Sequence, residues 1–301
     1  MTLLLVALGV VLIAFAVYDI FETLLDPEDQ GRLTDWVSWI TWKICRKGPL
    51  SFLVYAGPIA YVAVLGSWAV LVVIGGALIY LPFLPESFVF SSNLVEDERT
   101  GFLTAIYLSF VTFSTLGYGD ITPTAGWLRL VGPAQSLIGF FLLSAAITWI
   151  LAIYGDIGTR RNLAHETTLL METLENRGIH LSDLPSETIE NLLGQMTSRL
   201  VNLTGSLEQF PITYYFRITD DRQSLAVMVL FLCELSDELS KESLPKEVRL
   251  QAGMLSGALD HFAESLQGRF LTIGSGASTR ELLEAYAADH RRTIHQPSED
   301  C

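Results

Sequence analysis

Three apolar runs interrupt a chain that is otherwise ordinary in polarity: residues 2–18, 52–84 and 130–154. A bilayer core takes about 20 helical residues, with roughly 17 as a lower bound, so each run can form a membrane helix, the first only just. A fourth run, residues 102–114 (Phe-Leu-Thr-Ala-Ile-Tyr-Leu-Ser-Phe-Val-Thr-Phe-Ser), is apolar enough to enter a bilayer and too short to cross it. It predicts a re-entrant helix. From about residue 159 the pattern becomes helical and amphipathic. Leu163, Leu169, Leu170 and Leu174 open a helix that Gly178 ends as a C-cap. A second helix follows Pro185 to about Leu203, and a third begins after Asp220-Asp221-Arg222-Gln223, a capping-box pattern. Two more are expected at roughly 244–267 and, after the Ser278-Thr279-Arg280-Glu281 box, at 280–292. The pattern thus predicts an all-α membrane protein with a small helical domain in its polar half.

Charge sets the threading. Acidic residues outnumber basic ones by 12 to 6 up to residue 156 and by 21 to 13 beyond it, which gives the net charge of −14. Nucleic acid is not a partner for such a surface. Cys45, Cys233 and Cys301 are odd in number and far apart, and read as free thiols. Ala14-Phe15-Ala16 resembles a signal-cleavage site, but no basic residue precedes the first run. Cleavage would also leave Lys43, Arg46 and Lys47 outside, whereas short basic loops stay cytoplasmic. The expected topology has the N-terminus outside, residues 52–84 running outward, Glu96, Asp97 and Glu98 in an outer loop, and residues 130–154 returning to Arg160 and Arg161. Residues 19–50, with Trp36, Trp39 and Trp42 ahead of the basic cluster, suit either a helix at the inner interface or a linker with a tryptophan anchor. The expected divisions are an N-terminal membrane helix at 1–25, an interfacial segment at 26–50, a pore domain at 51–158 and a cytoplasmic helical domain at 159–301.

Between the second and third runs lies Ser114-Thr115-Leu116-Gly117-Tyr118-Gly119-Asp120. Non-helical backbone at membrane depth requires burial in protein or a water-filled cavity, and a pore supplies one. Aiming successive carbonyls at one axis needs dihedrals that an ordinary strand lacks, and Gly117 and Gly119 permit them. Residues 50–156 resemble the tetrameric potassium channels. The heptapeptide fits their filter, with Leu for the commoner Val or Ile, and Pro123, Arg129 and a candidate hinge glycine, Gly139, fall where that family often has them. The resemblance implies ion sites made by the carbonyls of Thr115, Leu116, Gly117 and Tyr118 and the Thr115 hydroxyl, replacing the hydration shell of K+. Gly119 completes the filter, and the Leu116 and Tyr118 side chains become packing behind it. It also implies that Tyr107 reaches Asp120, a link the family often makes with Trp. Val111 stands where some members carry a glutamate that pairs with the filter aspartate. One filter copy per chain is a quarter of a ring, so four identical subunits close it. The only other ligands expected are the bilayer, K+ itself and an unknown cytoplasmic ligand, with no cofactor.

Voltage sensing is excluded, because the first run carries no charge. Gly139 reads equally as a hinge or a close-packing glycine, and Gly132-Pro133 is a second place for a bend. Ser144 and Thr148 either face a cavity or bond their own helix. In the polar half, the aromatic turn Phe210–Phe216 suits the cover of a helical core better than a pocket. Glu234, Asp237 and Glu238 fit a solvated helix face better than a calcium loop. Gly274-Ser275-Gly276 is too short for a dinucleotide-binding turn, and no nucleophile, base and orienting group form a catalytic arrangement. The leading expectation is a potassium-selective channel in the plasma membrane. A non-selective cation channel, and a membrane-anchored sensor or scaffold with a vestigial pore, are the alternatives.

Overall fold

The computed structural model describes residues 1–26, 30–92, 99–220, 223–274 and 276–292; Glu96, Asp97, Glu98, Asp221, Arg222, Ser275 and Cys301 lie outside them. The chain forms two compact units, Met1–Gly48 with Pro58–Ala152 and Pro49–Gly57 with Ile153–Cys301. The limits expected from sequence, 51–158 and 159–301, differ from this division by several residues. In chain order the helices are α1 (Thr2–Leu25), α2 (Arg32–Lys47), α3 (Leu50–Leu53), α4 (Ala56–Tyr80), α5 (Phe102–Phe113), α6 (Leu128–Arg177), α7 (Ser186–Gln209), α8 (Leu225–Leu239), α9 (Lys246–Leu266) and α10 (Thr279–Asp289). Among the described residues, α1, α4 with the turn to Phe83, and α6 are long and apolar enough to cross a membrane.

In the first unit, α1 packs on α4. A Cβ on Gly9 would lie 2.4 Å from the Gly75 carbonyl oxygen, so the two backbones touch where neither residue has a side chain. Asp19 directly follows the first apolar run. It is buried in α1, and its carboxylate accepts hydrogen bonds from Leu33 N (2.8 Å), Thr34 N (3.3 Å), Thr34 Oγ1 (2.7 Å) and Trp68 Nε1 (2.8 Å). One side chain thus supplies the acceptor for the first turn of α2, which has no cap from its own N-cap residue, and ties both helices to α4. The amphipathic stretch is a helix whose buried face is Thr34, Ser38, Trp42 and Cys45, while Trp36 and Trp39 stay exposed. Lys43 lies over the Trp39 ring, 4.1 Å from its centre.

Besides the helices of this all-α membrane protein there is one short antiparallel ribbon: β1 (Phe88–Phe90) pairs with β2 (Ile121–Pro123). It joins the segment that follows α4 to the segment that precedes α6. Phe88 and Ile121 share a core with Ala77, Tyr80, Leu84, Ala105, Leu108 and Leu128.

The inner span and the first polar helix, expected as separate elements, are one 50-residue helix, α6. Gly155 and Gly158 lie inside it; each costs about 1 kcal/mol relative to Ala, too little to stop a helix. Its end matches expectation: Gly178 has φ +58° and its N–H bonds the Glu175 carbonyl, while Ile179 N–H bonds that of Leu174. The second unit packs α7 on α9 and α8 on α9, through residues such as Leu193, Leu200, Leu255 and Phe262. α7 outruns its expected end at Leu203 because Leu207 continues its buried face to Gln209. α8 starts at Leu225 after Ser224, without the capping box expected at 220–223; Gln223 instead turns back to Asp220. The box at Ser278 and Glu281 is present, although α10 stops at Asp289, short of the expected 292. The aromatic turn is core cover. Tyr214 is buried, stacks on Phe270 with centres 4.1 Å apart, and donates to Asp289 at 2.7 Å.

Removing the Asp19 carboxylate leaves several buried donors unmatched, each worth about 1–3 kcal/mol. Asp19→Ala is therefore expected to lower stability by about 3 kcal/mol, and Asp19→Asn by less. Thermal unfolding of the detergent-solubilised protein checks this, and equal midpoints for Asp19→Ala and the parent would show that the carboxylate ties nothing together.

Candidate functional site

α5 brings residues 115–119 into place. Its apolar face, with Ala105, Leu108 and Val111 buried, faces its own unit, and Ser114 ends it. Ser114 N–H bonds the Phe110 carbonyl, and its hydroxyl donates to the Val111 carbonyl at 3.2 Å. Thr115 N–H reaches the Thr112 carbonyl and Leu116 N–H that of Val111, both at 3.1 Å. The last carbonyls of α5 thus receive the first amides of the following run.

That run has positive φ at Thr115 (+59°), Gly117 (+56°) and Gly119 (+77°), alternating with ordinary angles at Leu116 and Tyr118. The alternation is what allows neighbouring carbonyls to face the same way. Sequence reasoning found the two glycines and missed Thr115, because a β-branched residue rarely adopts this conformation. Backbone strain of this kind costs on the order of 1–3 kcal/mol and marks functional sites. Leu116 and Tyr118 are 55% and 65% exposed within the chain. The rest of the chain does not cover them.

Asp120 is anchored as expected: Tyr107 Oη on α5 donates to its carboxylate at 2.5 Å. The other carboxylate oxygen accepts from Ile121 N at 3.1 Å, and the Asp120 carbonyl accepts from Ser91 N at 2.8 Å. Arg129 Nε donates to the Pro123 carbonyl at 3.2 Å. The exit of the run is therefore fastened to both strands of the ribbon and to α5.

A polar cluster behind α5 escaped sequence reasoning. Gln135 on α6 is buried; its amide accepts from Tyr80 Oη at 2.9 Å and donates to Ser109 Oγ at 2.7 Å. Ser109 in turn donates to the Val73 carbonyl at 2.6 Å. These bonds join α4, α5 and α6. The available signal was a lone glutamine inside an otherwise apolar run, since intramembrane polar groups are rare and need partners.

Gly139 packs directly against the end of α5: a Cβ there would fall 2.0 Å from the Phe113 carbonyl oxygen. The Ser144 and Thr148 hydroxyls bond the Phe140 and Ser144 carbonyls at 3.0 and 3.1 Å, as helix-backbone partners. α6 continues through Pro133. In the second unit Glu234 pairs with Arg280 at 3.0 Å. Arg160 is buried there, donating to the Thr213 carbonyl and the Tyr286 hydroxyl.

Spanning helices, a short helix that stops between them and a glycine-broken run at its tip define a multi-pass membrane protein of ion-channel architecture. Residues 67–155 match the family described as "Ion channel". A Bacillus subtilis protein described as the uncharacterized membrane protein YdjJ is 27% identical over 237 residues, 75% of this chain and 67% of that protein. Two-pore potassium channel 2 of Arabidopsis thaliana is 31% identical over 103 residues, 32% of this chain and 20% of the plant protein. Protein LctB of Bacillus caldotenax is 32% identical over 89 residues, 28% of this chain and 66% of that protein. The chain thus spans a fifth of the plant channel it matches. No solved structure matches.

Tyr107→Phe removes a hydrogen bond to a carboxylate, worth about 1.5–3 kcal/mol, and frees the exit of the run. Ion flux into liposomes is expected to fall at least tenfold at equal protein incorporation. Unaltered flux would mean that the ribbon alone holds Asp120.

Proposed function

We propose that this chain is one subunit of a homotetrameric, potassium-selective channel that conducts passively and has no voltage sensor. The observation that carries the reading is the alternating left-handed backbone at Thr115, Gly117 and Gly119 at the tip of α5. Four such runs around one axis make rings of the carbonyls of Thr115, Leu116, Gly117 and Tyr118, which substitute for the hydration shell of K+. The name of the Arabidopsis relative points to the same ion. Exposed Leu116 and Tyr118, and a span in α6 of which only 17% is buried within the chain, supply surface for neighbouring subunits. Each α5 turns its negative end toward the common axis, which favours a cation there. Gly139 on α6 serves as a hinge in this reading, sited where the helix presses on α5. The N-terminus is outside, and residues 159–301 form a cytoplasmic domain that modulates opening through a ligand of unidentified chemistry. The membrane is the plasma membrane.

Purified protein in liposomes is expected to pass K+ at least a hundredfold faster than Na+, and to elute as a tetramer by light scattering. Gly117→Ala puts a Cβ on a residue at φ +56° and is expected to abolish that preference or the flux itself. Equal passage of Na+ and K+ by the parent protein would replace the reading with a non-selective cation channel. Absence of flux in every condition would favour an anchored sensor or scaffold.

A further inference from the structure

We propose that the side chain of Phe216 is a brake on the pore, an aromatic spacer by which the helical domain holds the cytoplasmic ends of α4 and α6 in their resting arrangement. The inference rests on the channel reading above and on its topology. All the residues involved belong to the second unit, which includes Pro49–Gly57 and the chain from Ile153 onward.

Phe216 closes the aromatic turn and is buried. Its ring lies on the backbone of α4. A Cβ on Gly57, the second residue of that helix, would fall 2.5 Å from two carbons of the ring. Glycine is what leaves room for the ring there. The same ring meets Tyr154 on α6 edge to face, with centres 6.4 Å apart and planes at 74°. One side chain of the polar half thus touches both helices at the ends that the proposed topology places on the cytoplasmic side.

The ring is fixed from α6 as well as from the domain. The Thr213 carbonyl accepts from the Phe216 amide, at 3.1 Å, and from the guanidinium of the buried Arg160. Arg160 also donates to Tyr286 Oη on α10 at 3.4 Å, and Asp156 accepts from Ser206 Oγ on α7 at 3.1 Å. Within about two helical turns, α6 is therefore fastened to the aromatic turn, to α7 and to α10. On its other side the turn is held by Tyr214, which stacks on Phe270 and bonds Asp289.

Close-packed interiors transmit a displacement instead of absorbing it. A shift of α7 or α10 carries the ring with it and moves the base of α4 relative to that of α6. While the ring is seated, α6 cannot swing from α4 without drawing Phe216 off Gly57 or parting it from Tyr154. Both contacts then oppose opening. An input to the domain that withdraws the ring shifts the balance toward the open pore.

The test measures K+ flux per tetramer for the full chain in liposomes, together with the K+ to Na+ preference and the thermal unfolding midpoint. Phe216→Ala removes the spacer and is expected to raise the flux about fivefold, the low end of coupling between distinct sites, with the ion preference unchanged. Phe216→Leu keeps most of the buried apolar volume and guards against loss of fold; it should act in the same direction with a smaller rise. Gly57→Ala drives the ring off α4 and should raise the flux like Phe216→Ala. In the Phe216→Ala background it should add nothing, because its Cβ then meets no ring. The proposal is overturned if flux per tetramer is unchanged or lowered in Phe216→Leu and Gly57→Ala, or if the effects multiply in the double variant. A lower unfolding midpoint with unaltered flux would likewise overturn it and mark Phe216 as core packing. Those results leave the channel reading intact, since the parent still conducts. Absence of flux from the parent and from every variant would instead remove the channel reading and the brake together.

Discussion

A backbone whose φ alternates in sign cannot continue either the helix before it or the strand after it, and within a bilayer there is no water to accept what it leaves unbonded. Residues 115–119 impose this constraint, and much of the first unit answers it. α5 ends where its last carbonyls can take the amides of Ser114, Thr115 and Leu116. Past the run, Asp120 converts the chain back to an extended form by bonding Tyr107, Ile121 and Ser91 at once. The ribbon is only three residues long on each side because fixing that exit is its whole task. Behind α5, Gln135 and Ser109 hold its position against two spans with bonds that hydrocarbon does not weaken.

The parts legible in the sequence were those that depend on neighbours along the chain. Apolar run length located the spans, and residues 102–114 located α5 almost to the residue. The capping box at Ser278 and the glycine stop at 178 are local devices and appeared where expected. Tyr107 and Asp120, thirteen positions apart, were paired only through family resemblance. What could not be read was set by partners distant in sequence. Asp19 looks like the end of a span until Trp68 and Thr34 are seen around it. The positive φ of Thr115 contradicts its local preference and is imposed by the end of α5. α6 looked like two helices because polarity changes along it, yet polarity does not break a helix when dihedral preferences allow it to go on.

The two units use polar burial differently. In the first, carboxylate, amide and hydroxyl groups bridge helices whose apolar surfaces have little preference for one another over lipid, so directional bonds fix the arrangement. In the second, leucine-rich faces on α7, α8 and α9 exclude water in the ordinary way, and the buried polar groups Arg160 and Tyr214 bind one carbonyl of the aromatic turn, one hydroxyl and one carboxylate.

The Asp19 cluster bears on how the protein is made. A carboxylate in a membrane segment disfavours insertion by roughly 2.5–3.5 kcal/mol at mid-span, and less toward its end. Its donors arrive later: Leu33 and Thr34 come with α2, and the Trp68 indole lies 49 residues beyond Asp19. Until α2 and α4 follow it, α1 is therefore a hesitant membrane segment, and it becomes committed when α4 enters beside it. Insertion of the first span and docking of the second become a single cooperative event, and the order of synthesis sets the moment at which the N-terminal helix settles.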